Sequence, residues 1–324
     1  MPVLSLTVDE SFDGSMRLDS YISQAENGMS RSRLKTVAKS ILLNGSAAKL
    51  SKNVRAGDKI EITWEDTKPE NLEPEDIPLD IIFENDRVTV VNKKQGMVVH
   101  PAAGNWTGTL VNALLFHWGK NPQIMDKNEN SPLLRPGIVH RLDKDTSGIL
   151  ITARDFDALT WLQNQFQSRC VKKEYIAIVC GRPKEPHGSI KTGITRDSRN
   201  RKKFTATDIG KGKFAHTVYK CMACYGPYSI MRLKLKTGRT HQIRVHMKYL
   251  GCPVMGDPIY GKKDALFDSA TLMLHSHKLG IRLPESDEFS IFEAPVPIRF
   301  KKVLKTLHEK YEKQPWSYEY QYNL

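Results

Sequence analysis

Residues 137–151 hold the side chain best suited to chemistry in this sequence. They read Gly137-Ile-Val-His-Arg141-Leu-Asp143-Lys144-Asp-Thr-Ser-Gly148-Ile-Leu-Ile. Two short β-branched runs flank a polar centre that glycines punctuate, and this pattern predicts a strand, a tight turn and a second strand. The cations Arg141 and Lys144 favour the charged form of Asp143. A carboxylate on such a loop can attack as a nucleophile or accept a proton, although an aspartate in an ordinary loop has the same local sequence.

Other reactive side chains have less specific spacings. Cys221 and Cys224 have redox or zinc spacing, but no second pair completes a zinc site, and packing is the simpler interpretation. His241 and His246 are five residues apart, which suits neither one helix face nor one strand face. We therefore expect no metal site. The five cysteines show no framework spacing, which indicates reduced thiols in the cytoplasm.

The positive charge of the chain is concentrated in one region. The 324 residues carry a formal net charge of +13, and their 40% hydrophobic and 26% charged residues are ordinary for a globular protein of about two domains. Residues 191–248 contain 15 Lys and Arg against two acids, Asp197 and Asp208, a local excess equal to the charge of the whole chain. This distribution favours a polyanion as partner, nucleic acid first. No apolar run approaches the about 20 residues of a membrane helix, and no signal peptide is visible.

The segment before residue 65 predicts two short helices and several strands. Residues 17–22 begin the first helix, and Ser30 is placed to cap the second. Asn44-Gly45 predicts a tight hairpin turn, and residues 54–62 predict a further strand. The segment resembles the ribosomal-protein-S-four-like RNA-binding module, and the resemblance implies phosphate contacts from the basic side of the second helix. The candidate residues there are Arg31, Arg33 and Lys35.

The rest of the chain follows a linker. Residues 65–78 are rich in proline and acids, which predicts an extended tether. Residues 79–310 read as short strands with helices at 108–118 and 155–166. The tail, residues 311–324, ends in aromatic side chains to which we assign no role.

Four segments of this second domain carry a family pattern. They are residues 93–101 (KKQGMVVHP), 140–150 (HRLDKDTSGIL), 173–179 (KEYIAIV) and 237–247 (TGRTHQIRVHM), the last continuing into GDPIYG at 256–261. Together they resemble RluA/RluD-type pseudouridine synthases, and the pattern covers nearly all of residues 15–300. Lys94 is the one departure, since a proline is usual there.

The resemblance implies an α+β fold, in which a mixed, largely antiparallel sheet with flanking helices accompanies a small α/β N-terminal RNA-binding domain. It implies that Asp143 is the catalytic carboxylate, that Tyr175 lies against the target uracil, and that Arg244, which we interpret as a strand residue, pairs with Asp143. Arg141 would enter the space left by the uridine, and Arg239 would contact a phosphate. A basic loop adds the RNA-binding candidates Arg199, Arg201 and Lys202.

The expected activity is the isomerisation of specific uridines to pseudouridine in RNA. Large-subunit ribosomal RNA is the first candidate, because the order of domains resembles the RluD-type enzymes. Transfer RNA is the nearest alternative, and a non-catalytic ribosome-assembly factor with this fold is an alternative of another class. The reaction involves neither net redox change nor hydrolysis, so we expect no cofactor, no metal and no bound nucleotide. We expect a cytoplasmic monomer that binds RNA and not membranes.

Overall fold

The computed structural model describes residues 3–25, 31, 34, 38–64, 72–101, 105–119, 136–198, 200 and 202–314. The chain forms two compact units, residues 1–71 and residues 72–324. Each unit has a hydrophobic core of its own.

The first unit is a small sheet beside one described helix. Its elements are β1 (Val3–Thr7), β2 (Met16–Arg17), α1 (Leu18–Gln24), β3 (Ala38–Leu43), β4 (Ser46–Ala47), β5 (Asn53–Val54) and β6 (Lys59–Trp64). Four strands pair in the order β1-β6-β3-β4, and β2 pairs with β5. Asn44 and Gly45 both have positive φ, 53° and 75°, between β3 and β4. This confirms the predicted hairpin turn. The predicted second helix lies outside the described residues, except for Arg31 and Leu34.

The second unit is built on one large sheet. Its described strands are β7 (Ile81–Glu84), β8 (Val88–Lys93), β9 (Ser147–Ala153), β10 (Lys172–Cys180), β11 (His187–Arg196), β12 (Phe204–Thr207), β13 (Lys213–Tyr225), β14 (Tyr228–Leu235), β15 (Leu274–Arg282), β16 (Phe289–Glu293) and β17 (Lys313–Gln314). The main order is β12-β11-β13-β14-β10-β15-β9-β8-β7, with β16 beside β15 and β17 beside β13. Strands β9 and β15 pair in parallel, and the other described pairs are antiparallel. The predicted mixed, largely antiparallel α+β fold is confirmed.

Helices cover this sheet. They are α2 (Leu110–Trp118), α3 (Phe156–Gln167), α4 (Gln242–Tyr249) and α5 (Ile298–Lys310). Helix α2 begins after Thr109, whose side chain accepts from the backbone of Asn112, and it ends before Gly119, as predicted. The Asp155 side chain caps α3 by accepting from the backbone N–H of Ala158 at 2.8 Å. Residues of α2, α4 and α5 share a core with Tyr175, whereas α3 packs in a separate cluster with β8 and β9.

The second half of the predicted linker belongs to the second unit. Leu72 packs against its core. The backbone carbonyl of Glu73 accepts from the Asn112 side chain at 2.8 Å, and the Glu75 carboxylate accepts from the backbone N–H of Gly108 at 3.0 Å. These contacts anchor residues 72–78 to the start of α2, so the segment does more than tether. Residues 65–71 lie outside the described part of the chain.

Two glycines fix the course of the chain around Asp143. Gly137 and Gly148 have φ of +69° and +113°, a region that favours glycine. A Cβ on Gly148 would lie 2.1 Å from the carbonyl oxygen of Ser276, and one on Gly137 would lie 2.3 Å from that of Ala153. The chain therefore passes β15 and β9 at distances that other side chains would prevent. The strand predicted at residues 138–139 is wrong, because Ile138 forms only an isolated bridge to Thr152.

Candidate active site

Asp143 lies on the loop that enters β9 and lines a pocket of about 390 Å³. Its carbonyl accepts from the backbone N–H of Thr146 at 3.1 Å, which closes a turn behind the side chain. The side chain is 19% exposed, so a ligand in the pocket can reach it. In the described part of the chain, the basic side chains within 4.0 Å of the carboxylate are Arg244 and His241, not its neighbours Arg141 and Lys144.

Arg244 contacts Asp143 from a helix rather than a strand. It lies in α4, whose eight residues start after His241, and our interpretation of it as a strand residue is wrong. His241 has φ 56°, and this left-handed conformation turns the chain into the helix. The buried Arg244 donates from Nη1 to Oδ2 of Asp143 at 3.3 Å. This contact joins residues 101 positions apart at one wall of the pocket.

Asp257 holds the other side of the same guanidinium. Arg244 donates from Nε to Oδ2 of Asp257 at 2.7 Å and from Nη2 to Oδ1 at 2.8 Å, a bidentate ion pair. The backbone N–H groups of Ile259 and Tyr260 also donate to Oδ1. Burial favours the neutral acid, but the hydrogen bonds and charge of Arg244 outweigh it and lower the pKa of Asp257. Burial alone would lower the pKa of Arg244, but the carboxylates of Asp257 and Asp143 together raise it.

His241 and Tyr260 form the next part of the wall. The Nδ1 of His241 lies 2.9 Å from the hydroxyl of Tyr260, and its Nε2 lies 3.9 Å from Oδ2 of Asp143. Burial lowers the pKa of His241, partly opposed by the charge of Asp143, so the imidazole is neutral at physiological pH. Arg244 is therefore the cation in contact with Asp143.

Tyr175 lines the pocket from the middle of the sheet. It lies on β10, with Leu233 of β14 as its register partner, and its side chain is buried. Burial raises its pKa to about 12, and the charge of Asp143 acts in the same direction, whereas a hydrogen bond with Ser276 opposes it. The side chain is therefore a neutral phenol in the wall of the pocket.

Lys93 connects the Asp143 loop to strand β8. It is 1% exposed at the end of β8, and its ammonium donates to the carbonyls of Lys94, Met97 and Lys144 at 2.9–3.1 Å. Burial lowers its pKa to about 7, while the nearby Asp143 and Asp145 act in the opposite direction. The loop is thus tied to β8 one residue after Asp143.

The other predicted RNA-binding residues have diverse surroundings. Arg141 is exposed and lines the pocket beside Asp143. Arg239 also lines it, and its Nε donates to the carbonyl of Phe214 at 3.0 Å. Lys202 is exposed in the turn before β12. Arg31 is 52% exposed and donates to the buried Asp19 at 3.0 Å, so part of its guanidinium is engaged within the first unit. The predictions for Arg33, Lys35, Arg199 and Arg201 lie outside the described residues.

Sequence reasoning missed several residues of this site, among them Asp257 and Lys93. Asp257 accepts backbone N–H groups of its own turn, and it also anchors Arg244. The Gly-Asp-Pro sequence gave no sign of this second role. Lys93 ends an apolar strand, and a lone cation there was the signal that it could be buried.

In the described part of the chain, no helix is long and apolar enough to cross a membrane.

Known proteins resemble this chain along most of its length. The sequence profile of the family described as RNA pseudouridylate synthase matches residues 87–249. Ribosomal large subunit pseudouridine synthase D of Borreliella burgdorferi is 43% identical over 306 residues, which cover 93% of this chain and 92% of that protein. The protein of the same name from Zymomonas mobilis is 38% identical over 319 residues, with coverages of 95% and 98%.

A solved structure has the same fold. Human RNA Pseudouridylate Synthase Domain Containing 1 superposes with a TM-score of 0.55 at 26% identity, over 78% of this chain and 95% of that chain. Sequence and fold therefore agree over the unit that contains the pocket. This chain belongs to the RluA-type family of RNA pseudouridylate synthases.

Proposed function

We propose that this enzyme converts uridines of large-subunit ribosomal RNA to pseudouridine, with Asp143 as its catalytic carboxylate. The observation that carries the proposal is the contact between Asp143 and the buried Arg244, 3.3 Å apart, at a pocket that Tyr175 also lines. The two relatives named as large-subunit enzymes support ribosomal RNA as the substrate. We also propose that the enzyme is cytoplasmic. Because Asp143, Tyr175 and Arg244 all come from one chain, we propose that it acts as a monomer.

The reaction breaks the bond from ribose to a uracil nitrogen and rejoins the base through carbon. A carboxylate can begin it by attacking the base or the sugar, or by removing a ribose proton. In each case Asp143 must be correctly aimed, and the hydrogen bond from Arg244 to its Oδ2 holds it in position. The chemistry needs neither an electron carrier nor a hydrolytic water, so the proposed mechanism uses protein groups alone.

The uridine must leave its helix to reach Asp143, which costs a few kcal/mol. Arg141 is exposed at the pocket, where its guanidinium can fill the space that the base vacates. Tyr175 offers its ring to the displaced uracil and, as a neutral phenol, can donate a hydrogen bond to it. Arg239 at the rim is suited to a phosphate of the bound strand.

The first unit is proposed to bind structured RNA in the manner of the ribosomal-protein-S-four-like module. A two-residue turn at Asn44-Gly45 and the exposed Arg31 are consistent with this role. The contacts would be to phosphates and to RNA shape rather than to base sequence.

Replacing Asp143 by alanine tests the central assignment. We expect Asp143→Ala to abolish pseudouridine formation while RNA affinity changes little, because the carboxylate acts on the base and the cations bind the backbone. Asp145→Ala is the matched control two residues away, and it should retain activity. Pseudouridines are mapped in total RNA from cells that lack the gene and carry either variant. If Asp143→Ala retained activity, Asp143 would not be the catalytic carboxylate. If the pseudouridines that depend on the gene lay in transfer RNA, the substrate would be transfer RNA and not ribosomal RNA.

A further inference from the structure

The face of the large sheet that is opposite to the pocket carries basic side chains. Side chains alternate along a strand, so Glu174 and Ile176 lie on the opposite face from Tyr175. The register of β10, β14, β13 and β11, which between β13 and β14 is regular over residues 217–221, extends this face across four strands. Its cations, which we call the basic face, are Lys191, Lys220, Arg232 and Lys234.

The register brings these cations together. Lys220 of β13 is directly opposite Arg232 of β14, and Lys234 follows two residues along the same strand. Lys191 of β11 is opposite His216 of β13. His216 is two residues from Val218, which is the register partner of Lys234. Neighbouring strands are about 4.8 Å apart and each strand residue rises about 3.3 Å, so the four positions occupy a patch of about 10 by 13 Å.

The basic face has few internal partners. All four cations are exposed. Glu174, whose carboxylate lies 3.5 Å from Arg232, is the only acid that the described strands β10, β11, β13 and β14 present on this face. Like charges directly opposite each other in a sheet are destabilising. An anionic partner would remove this repulsion.

The basic face continues from the rim of the pocket. Lys234 immediately precedes Leu235 and Lys236, both of which line the pocket, as does Arg239. A strand of RNA whose uridine enters the pocket therefore meets further cations where β14 ends. Of the polyanions in a cell, RNA is the one that this site already engages.

We propose that the basic face binds the phosphate backbone of a second segment of the substrate RNA, beyond the segment that enters the pocket. The inference rests on the proposed RNA substrate and deepens it. It requires an RNA large enough to pass around the end of the sheet, so it predicts a preference for long structured RNA over a short stem–loop.

The triple variant Lys191→Gln, Lys220→Gln, Lys234→Gln tests this proposal. Its matched control, Lys301→Gln, Lys305→Gln, Lys310→Gln, removes the same charge from exposed positions of α5. Both are assayed on a transcript of large-subunit ribosomal RNA and on a short stem–loop around a mapped uridine. With the long transcript, we expect KM of the basic-face variant to rise about tenfold at constant kcat, because three phosphate contacts are lost.

Two further readouts separate binding from folding. The slope of log affinity against log salt should become shallower by about 2–3, since each lost phosphate contact contributes about 0.7–0.9. The Tm should stay the same or rise, because like charges have been removed. Equal KM changes in the two variants, or an equal change on the stem–loop, would overturn the proposal. A wild-type enzyme inactive on ribosomal RNA would instead contradict the proposed function.

Discussion

Arg244 lies between two carboxylates that it holds unequally. Asp257 receives two hydrogen bonds of 2.7 and 2.8 Å, whereas Asp143 receives one of 3.3 Å. The shorter, bidentate pair fixes the guanidinium, and the longer contact leaves Asp143 able to move toward a substrate. His241 and Arg244 both approach Oδ2, so a substrate atom can approach Oδ1 without displacing either of them.

Asp257→Asn should therefore impair catalysis through its effect on Arg244, and not through a contact of Asp257 with the substrate. Loss of the charge lets Arg244 shift, and a misplacement of 1 Å can cost about 10²-fold in rate. We expect kcat to fall by about that factor with a small change in KM, and stability to fall by about 3 kcal/mol because a buried ion pair is broken. Steady-state kinetics and urea unfolding measure the two effects.

Asp264→Asn is the matched control for this variant. Asp264 also accepts backbone N–H groups in a turn, from Leu266 and Phe267, and it binds Tyr228 rather than Arg244. A similar loss of kcat in Asp264→Asn would show that Asp257 matters only for the turn.

At the level of single residues, the sequence was informative only where a motif extended over several positions. The resemblance brought Asp143, Tyr175 and Arg244 forward, and all three line one pocket. The partnership of Arg244 with Asp257 spans 13 positions and depends on how α4 packs, which no local pattern encodes. Lys93 was missed for the same reason, since its carbonyl partner at Lys144 is 51 positions away.

Strands β9 and β15 determine where the Asp143 loop sits. They pair in parallel through Ser147 and Gly148, next to His275 and Ser276. The Ser147 hydroxyl also binds the ring nitrogen of His275 at 2.8 Å and accepts from Arg299 at 2.6 Å. The loop therefore takes its position from β15 and the start of α5 as much as from its own strand.

Gly148→Ala should break this junction. The new Cβ would collide with backbone at Ser276, and the φ of +113° would add strain. We expect a loss of more than about 3 kcal/mol in unfolding free energy, with activity lost in parallel. Gly210→Ala is the control, because its φ of +98° is similar and no atom lies within 4 Å of the Cβ position. It should cost only about 1 kcal/mol. Equal losses in urea unfolding would mean that strain alone explains both.

Periodicity predicted the regular elements well and the short ones poorly. Helices α2 and α3 follow from their capping residues and apolar spacing. Helix α4 does not, because its eight residues follow a left-handed turn at His241 and read like a continuation of a strand. The predicted strand at residues 138–139 failed because glycines bend the chain away from regular pairing.

The whole molecule separates into two units with separate cores, which predicts that each contributes differently to the reaction. Deletion of residues 1–71 should weaken affinity for structured RNA, because the cations of the first unit are lost, while kcat at saturating substrate stays close to that of the full chain. Filter binding and single-turnover kinetics check the two expectations. The thermal unfolding of the remaining unit serves as the folding control. Unchanged affinity would contradict the role proposed for the first unit.

The link between Ser147 and His275 has a consequence for the synthesis of the enzyme. Their side chains meet across 128 positions of sequence, and β15 supplies a backbone that the Asp143 loop needs as a neighbour. A nascent chain can finish its first unit early, since domains fold as they emerge. The pocket can form only after residue 282 and helix α5 have left the exit tunnel of the ribosome. A translation product that ends before β15 therefore has a complete first unit but no pocket, and we expect it not to isomerise RNA.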